Sequence, residues 1–142
     1  MKEALVSWTG GMSFRAHLDS GHELVMDARP EVGGEDKGPR PSELLLAALG
    51  GCTGMDVVSI LRKMRVEFDK VEVAIEADAA PEHPKSFTHF RMVYRVTGAE
   101  IDPEKMKKAV ELSEEKYCVV AGLFRHGAKL EYRIEINGEP LA

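Results

Sequence analysis

The residues of this chain best suited to covalent chemistry are its two cysteines, Cys52 and Cys118. A thiolate can attack a peroxide oxygen to give a sulfenic acid, and a second thiol can then condense with that acid to form a disulfide. Buried free cysteines are also common as small hydrophobic residues, so inert packing is the alternative. Cys118 follows Cys52 by 66 positions, and this spacing alone does not establish that the two sulfurs meet.

No pattern typical of a metal centre accompanies the two cysteines. The sequence has neither Cys-x-x-Cys nor His-x-x-x-His, and a structural zinc site usually presents pairs of ligands at such short spacings. We therefore expect neither a metal ion nor a bound cofactor.

Composition and charge indicate one ordinary soluble domain over residues 1–142. The chain is 44% hydrophobic and 30% charged, with a formal net charge of -5. This balance is typical of a globular protein and argues against nucleic acid or an anionic membrane as the main partner. The start of the chain has no charged-then-apolar leader, and we expect every apolar run to be too short for a membrane helix. A cytoplasmic location follows as the expectation, and structural disulfides are uncommon there.

The elements that must position the cysteines are predicted from apolar periodicity and turn residues. The predicted order is strands within 4–28, a glycine-rich loop at 30–40, a central helix at 42–65, an antiparallel hairpin at 71–97, a second helix at 103–117 and a final strand at 129–136. The fold class is therefore α+β, with two principal helices.

The central helix contains Cys52 and has two unusual features. Residues 44–49 are apolar on all sides, which predicts burial rather than a one-sided amphipathic helix. Gly50 and Gly51 follow directly and together cost about 2 kcal/mol of helix propensity relative to alanine. We expect a close contact with another helix beside Cys52 to offset this cost.

Two separated motifs resemble those of the OsmC/Ohr family, the osmotically inducible protein C and organic hydroperoxide resistance proteins. The run from Gly38 to Asp56, GPRPSELLLAALGGCTGMD, resembles the family's central-helix signature. The run from Glu115 to Ala121, EKYCVVA, resembles its second-cysteine segment. The order of elements is also similar, and the wording of both motifs is nearest to the OsmC-like branch.

The resemblance implies an OsmC-like fold in which antiparallel sheets wrap around two helices of an intertwined homodimer. It also implies that Cys52 attacks the peroxide and that Cys118 resolves the sulfenic acid. The substrate would be a small organic hydroperoxide, with hydrogen peroxide as the alternative, in defence against oxidative stress. An external dithiol would re-reduce the protein, and nucleic acid and membranes would not be partners.

The family's best-known members also use an arginine directly after a Gly-Gly turn and a glutamate ten residues before the first cysteine. Met12 and Ser42 occupy those two positions here, and Arg15 and Glu43 are the nearest substitutes. Each has a structural alternative. Arg15 would be a solvated strand charge, and Glu43 would be a carboxylate that complements the dipole at the helix start.

Two classes of function remain open at this stage. The first is a thiol-dependent peroxidase acting through the two cysteines. The second is a non-catalytic binding protein that keeps the fold and holds a small apolar ligand at the dimer interface. The displaced arginine and glutamate motivate the second.

Overall fold

The computed structural model describes residues 1–127, 131, 133, 135–137 and 139–140. It has antiparallel sheets and three α-helices, so the predicted α+β class is confirmed. The final strand predicted at 129–136 lies mostly outside the described residues. Its end forms β6, Glu135–Ile136, which pairs with β7, Glu139–Pro140.

The N-terminal sheet has three antiparallel strands in the order β1-β2-β3: Ala4–Gly10, Ser13–Leu18 and Glu23–Met26. The β1–β2 turn requires glycine, because Gly10 and Gly11 have φ values of 110° and 57°, which other residues rarely adopt. Large apolar side chains on this sheet are exposed in a single chain: Leu5, Val6, Trp8, Met12 and Phe14.

A buried carboxylate organises the loop that leads from β3 to the central helix. Asp27, only 3% exposed, accepts hydrogen bonds from the backbone N–H groups of Ala28, Glu35 and Lys37. The bond from Ala28 is the main reason that the pKa of Asp27 lies below its usual range. The predicted loop at 30–40 is therefore ordered, and Pro30–Val32 forms a 3₁₀ turn within it.

The central helix, α1, runs from Pro41 to Lys63. Proline suits the first helical position because the N–H group that it lacks has no partner there. One stripe with a spacing of four residues is buried: Leu49, Thr53, Val57 and Leu61. The prediction that all of 44–49 is buried is wrong for a single chain, since only Leu49 is buried and Leu45 is 44% exposed.

The glycine pair in α1 makes its close contact with a strand. A Cβ on Gly50 would lie 3.0 Å from Cδ1 of Ile75, whereas one on Gly51 would have nothing within 4 Å. Within the described part of one chain, the expected helix–helix contact is therefore not made at these two glycines. Gly50 instead allows α1 to approach the hairpin closely, and Gly51 leaves an open surface.

The hairpin consists of β4, Lys70–Ala79, and β5, Phe87–Thr97. The two strands pair antiparallel from Lys70 opposite Thr97 to Ala79 opposite Phe87. Alternate residues of β4 face α1, and Val73 and Ile75 lie against the glycines of the helix. The hairpin is therefore a half-buried layer against α1.

The second helix, α2, spans Pro103–Leu112. Asp102 caps its start by accepting a hydrogen bond from the Glu104 N–H at 3.0 Å. The helical stretch continues to Tyr117, as predicted, but its last five residues, Ser113–Tyr117, form a π-helical turn. A further helix that the sequence analysis did not predict, α3, follows at Val119–His126.

Two apolar clusters hold these elements together. The first is formed by Val57 and Leu61 of α1, by Val66 in the segment after α1, and by Ala109 of α2. The second surrounds Leu49, Cys118 and Ala121, with Cys52 partly buried against it. The second cluster therefore fixes both cysteines in the same part of the core.

By length and composition alone, α1 could cross a membrane. It has 23 residues, and its most apolar stretch has a mean hydropathy of 1.9. The sequence-based expectation concerned unbroken apolar runs, and this stretch contains none long enough to span a membrane. The aliphatic residues keep the mean high, while glycine, serine and threonine break this stretch into shorter apolar runs. Only 22% of this stretch is buried in a single chain, so much of α1 is available to a partner.

Candidate active site

Cys52 lies in the middle of α1 and is half-buried. Leu49 and Thr53, its neighbours on the buried stripe, anchor this part of the helix in the core. Thr53 turns its hydroxyl inward and donates a hydrogen bond to the Leu49 carbonyl at 2.9 Å. The Cys52 sulfur is therefore held on a rigid element and keeps some access to solvent.

Cys118 lies between the π-helical turn and α3. Its backbone is extended, with φ -76° and ψ 112°, and it is the N-cap residue of α3. Its sulfur accepts a hydrogen bond from the Ala121 N–H at 3.3 Å, so it takes the place of the oxygen that usually caps a helix. The side chain is only 5% exposed.

The two sulfurs are close together, and a carboxylate is beside them. The Sγ atoms of Cys52 and Cys118 and a carboxylate oxygen of Asp56 all lie within 4.8 Å of one another. Asp56 comes one helical turn after Cys52, on the same face of α1. We refer to these three residues as the thiol site.

Burial controls the protonation of the deeper thiol. It raises the pKa of Cys118 to about 11, and the hydrogen bond with Cys52 contributes in the same direction. The backbone N–H of Ala121 opposes both effects. Cys118 is therefore a thiol at neutral pH and can donate its proton towards Cys52.

A chain of polar side chains lies next to the thiol site. Tyr94 of β5 donates a short hydrogen bond to one carboxylate oxygen of Glu114, and Arg125 of α3 donates to the other at 2.9 Å. Burial is the main reason that the pKa of Tyr94 lies far above its usual range, and Glu114 adds to it. Tyr94 therefore stays protonated and fixes Glu114.

An aromatic groove of about 800 Å³ adjoins the thiol site. Its walls include Phe87, Phe90 and Phe124, and Arg125 lies on its lining. The rings of Phe90 and Phe124 are stacked with centroids 4.8 Å apart. Leu49 and Ala121 also line the groove, and these are the buried residues that pack around Cys118. The groove is thus separated from the deeper sulfur by a single layer of side chains.

The OsmC-like protein family matches residues 34–133, which include the thiol site and the aromatic groove. Protein YhfA of Escherichia coli K12 is 37% identical over 134 residues, which are 94% of this chain and 97% of that protein. The chain belongs to the OsmC-like family.

Solved structures support the same fold for this OsmC-like protein. A hypothetical protein from Aquifex aeolicus VF5 is 30% identical with a TM-score of 0.76, over 88% of this chain and 87% of that one. An organic hydroperoxide resistance protein OsmC from Legionella pneumophila is 18% identical with a TM-score of 0.65, over 89% of this chain and 90% of that one. At that identity the second likeness concerns the fold alone.

In the single OsmC-like chain, Arg15 is engaged within the N-terminal sheet. Arg15 lies on β2, its side chain is 49% exposed, and its guanidinium is 2.9 Å from the Glu23 carboxylate. The same contact is the main reason that the pKa of Glu23 lies below its usual range. These contacts correspond to the alternative of a solvated strand charge, and a catalytic role for Arg15 stays a prediction.

Glu43 is engaged at the start of α1. Its Oε2 accepts the Arg40 N–H at 2.9 Å, and its own N–H donates to the Arg40 carbonyl at 3.0 Å. This reciprocal arrangement satisfies free donors of the first helical turn. Within the described residues, Glu43 therefore serves the helix start, and its role at the thiols stays a prediction.

Sequence reasoning missed Asp56, Ser113 and the group formed by Tyr94, Glu114 and Arg125. Asp56 could have been found from its position four residues after Cys52 on a predicted helix, because such residues are neighbours on the helix surface. Ser113 and the other three carry no local signal, since only tertiary packing brings them to this OsmC-like site.

The thiol site offers part of a metal shell. Two cysteines and a carboxylate are ligands that zinc accepts, and a closed structural site needs four. Among the described residues, no further histidine, cysteine or carboxylate joins these three within the same distance. The arrangement is therefore better suited to two neighbouring thiols than to a structural metal.

The raised pKa of Cys118 predicts a loss of stability at alkaline pH. A cysteine in the unfolded chain ionises near its ordinary pKa of about 8.5, whereas native Cys118 keeps its proton up to about pH 11. Between these values the native state binds more protons, so the free energy of unfolding falls as pH rises. Below pH 8 this contribution is constant.

Urea denaturation of the reduced protein at several pH values between 8 and 11 measures this effect. Cys118→Ala is the control, because it removes the titrating group, and we expect its stability to fall less over the same range. Parallel pH curves for the two proteins would contradict the buried, protonated state of Cys118.

Proposed function

We propose that this protein is a thiol-dependent peroxidase that reduces organic hydroperoxides, with Cys52 as the attacking thiolate and Cys118 as the resolving thiol. The observation that carries the proposal is the pair of sulfurs within 4.8 Å of one another, one half-buried and the other buried. A peroxide can approach the first, and the second is in place to receive the product.

The reaction balances over two steps. The Cys52 thiolate attacks one peroxide oxygen and the O–O bond breaks, so the other oxygen leaves as alkoxide and takes up a proton to become an alcohol. Cys52 is then a sulfenic acid. The Cys118 sulfur attacks the Cys52 sulfur, the S–O bond breaks, and hydroxide leaves and is protonated to water. An external dithiol restores both thiols by exchange with the disulfide.

The difference in exposure between the two cysteines supports Cys52 as the residue that attacks the peroxide and Cys118 as the one that resolves the product. Cys118 is 5% exposed and protonated, whereas Cys52 has an open side. Because thiolates attack peroxides and thiols do not, the more accessible sulfur is the better first nucleophile.

The aromatic groove supports an organic rather than an inorganic peroxide. Phe87, Phe90, Phe124 and Leu45 contribute apolar surface to it, and burying such surface favours a hydrocarbon substituent at about 25 cal/mol per Å². Hydrogen peroxide has no group that could use this surface. The name of the Legionella protein, organic hydroperoxide resistance protein, is consistent with the same substrate class.

Thiol counting tests the proposal directly. The reduced protein is treated with one equivalent of cumene hydroperoxide or of hydrogen peroxide, and free thiols are titrated over time. We expect the organic peroxide to remove two thiols per chain and to do so faster. Two intact thiols after prolonged treatment with both peroxides would exclude a peroxidase.

We also propose that the protein is a homodimer in which the second copy covers an open groove beside α1. This helix groove has a volume of about 970 Å³ and lies between α1 and β4. It is lined mainly by small or apolar residues: Leu46, Ala47, Gly50, Gly51, Gly54, Met55, Val58, Val71, Val73 and Ile75. Exposed apolar patches of this extent are unusual on monomers and mark interaction surfaces.

Met55→Glu is expected to dissociate this dimer. Met55 is 76% exposed in a single chain, so the carboxylate has little effect on the folded monomer, whereas burying it in an apolar interface is costly. Light scattering during gel filtration should give the dimer mass for the wild type and the monomer mass for the variant. Lys107→Glu, on the exposed side of α2, is the control and should stay dimeric. A monomeric wild type would refute the proposal.

A soluble cytoplasmic location accompanies this proposal, because covering the helix groove removes the apolar surface that would otherwise favour a membrane. The reductant is then a cytoplasmic dithiol, and the role is antioxidant defence. If Arg15 or Glu43 acts at the thiols, it must do so from another arrangement, since Glu23 and the start of α1 hold them in the single chain.

The aromatic groove also supports the alternative of a non-catalytic binding protein. Its apolar walls and the nearby guanidinium of Arg125 would suit a small apolar ligand with one acidic group. Native mass spectrometry of the purified dimer distinguishes the two functions. A retained small molecule, together with thiols that resist peroxide, would favour binding.

A further inference from the structure

We propose that Asp56 is the proton acceptor that activates Cys118 for the resolving step, and that it passes this proton to the hydroxide leaving from Cys52. The inference rests on the proposed peroxidase function and adds a third residue to the site. Neither cysteine motif points to it, and its basis is the meeting of a carboxylate with both reacting sulfurs within 4.8 Å.

The resolving step needs a base because of where Cys118 lies. The sulfur is almost fully buried, and burial keeps it protonated at neutral pH. A thiol is a poor nucleophile compared with its thiolate. Because the sulfur is only 5% exposed, a base held beside it by the protein would act much faster than the dilute hydroxide present at neutral pH.

Asp56 is the group placed to act as that base. It approaches from α1 and the Cys118 thiol from the start of α3, and the sulfur of Cys52 lies beside both. Tyr94 of β5 and Glu114 of the π-helical turn also face this region, but they are bonded to each other. Glu114 is further bound by Arg125, which leaves the Asp56 carboxylate as the available acceptor.

The orientation of Asp56 is fixed by a buried hydroxyl. Ser113 has no exposed surface, and its hydroxyl donates to Oδ2 of Asp56 at 2.9 Å. Among the described residues, none donates a hydrogen bond to Oδ1 of Asp56, so this oxygen can take a proton. The π-helical turn that begins at Ser113 therefore positions both the hydroxyl and, five residues later, Cys118.

The proton balance closes without another reactant. Asp56 takes the proton from the Cys118 S–H, and the sulfur's electron pair forms the bond to Cys52. The S–O bond of the sulfenic acid breaks, its electron pair leaves with the hydroxyl group, and Asp56 returns the proton to give water. Asp56 ends the step with the same number of protons as it began, while Cys52 and Cys118 have become a disulfide.

A mixed disulfide isolates the resolving step from peroxide chemistry. Dithiodipyridine labels the accessible Cys52, and attack by Cys118 then releases a second thiopyridone, which absorbs light. With Asp56→Asn we expect this second release to slow roughly 10²-fold, at the lower end of general base catalysis. We also expect higher pH to restore the rate, because hydroxide then replaces the missing base. Asp19→Asn, an equal change in the exposed β2–β3 turn, should keep the wild-type rate.

Two further variants separate proton transfer from a structural role. Asp56→Glu keeps a carboxylate and should recover much of the rate, whereas Ser113→Ala keeps Asp56 but loosens it and should slow the step less than Asp56→Asn. If Asp56→Asn does not fold, this pair carries the test. A wild-type rate in Asp56→Asn, or a slow rate that pH does not restore, would overturn the proposal.

The peroxide arm of the experiment tests the parent function separately. After cumene hydroperoxide, Asp56→Asn should still form the Cys52 sulfenic acid and should accumulate it, as trapping with dimedone reveals. If the wild type forms no sulfenic acid, the peroxidase proposal fails. The thiopyridone rate would still decide whether Asp56 activates Cys118.

Discussion

Cys52→Ser is expected to abolish peroxide reduction, with a rate loss of roughly 10³-fold or more, the scale seen when a catalytic nucleophile is removed. Serine keeps the size of the side chain, but its hydroxyl is far less ionised than a thiol at neutral pH and does not form a sulfenic acid. The half-buried position in the middle of α1 should tolerate the change, so the fold is expected to survive.

The matched variant is Cys118→Ser, which should keep the reaction with peroxide but lose the ability to form the disulfide. Without reductant, the wild type should consume one equivalent of cumene hydroperoxide and lose two thiols. Cys118→Ser should also consume one equivalent but lose one thiol, leaving a sulfenic acid that dimedone traps. Cys52→Ser should lose none. An equal rate in Cys52→Ser and wild type would assign the first attack to another group and end the present mechanism.

Leu61→Ala is expected to cause the largest loss of stability, about 2–5 kcal/mol. Leu61 has no exposed surface and lies in the cluster that joins α1 to α2 and the hairpin. Removing most of its side chain leaves a cavity that these three elements cannot all close. Urea denaturation of the reduced protein measures the change.

The control for this prediction is Leu45→Ala, the same substitution on the same helix. Leu45 is 44% exposed in a single chain, so we expect a loss below about 1 kcal/mol. Equal losses for the two variants would mean that the second copy buries Leu45 as completely as the core buries Leu61. Comparing both in the monomeric Met55→Glu background separates these two cases.

The sequence contained strong signals for the central helix and for the two cysteines. Pro41 and the apolar run after it predicted a helix at 42–65, and the structure has one at Pro41–Lys63. The two cysteine motifs pointed to a pair of sulfurs, which lie within 4.8 Å in the structure. Alternation along 71–97 predicted the hairpin because its faces differ in burial.

Other features could not be read from local patterns. The π-helical turn was not predicted because Ser113, its first residue, also fits the ordinary helical spacing of the inward positions of α2. Helix α3 was not predicted because its N-cap residue is Cys118. The N-cap residues that usually mark a helix start in a sequence are serine, threonine, aspartate and asparagine. The exposure of residues 44–49 depends on what covers them, and the sequence of one chain does not separate its own core from a partner's surface.

The position of Cys118 at the start of α3 has a consequence for the chain as a polymer. A disulfide with Cys52 would close a covalent ring across 66 positions and so reduce the number of conformations open to the denatured chain. For a ring of this size, the chain-entropy treatment gives about 4 kcal/mol of extra resistance to unfolding. Each reaction with oxidant would therefore leave the molecule cross-linked and more resistant to unfolding until it is reduced. Each reduction would return it to a linear, more easily denatured form.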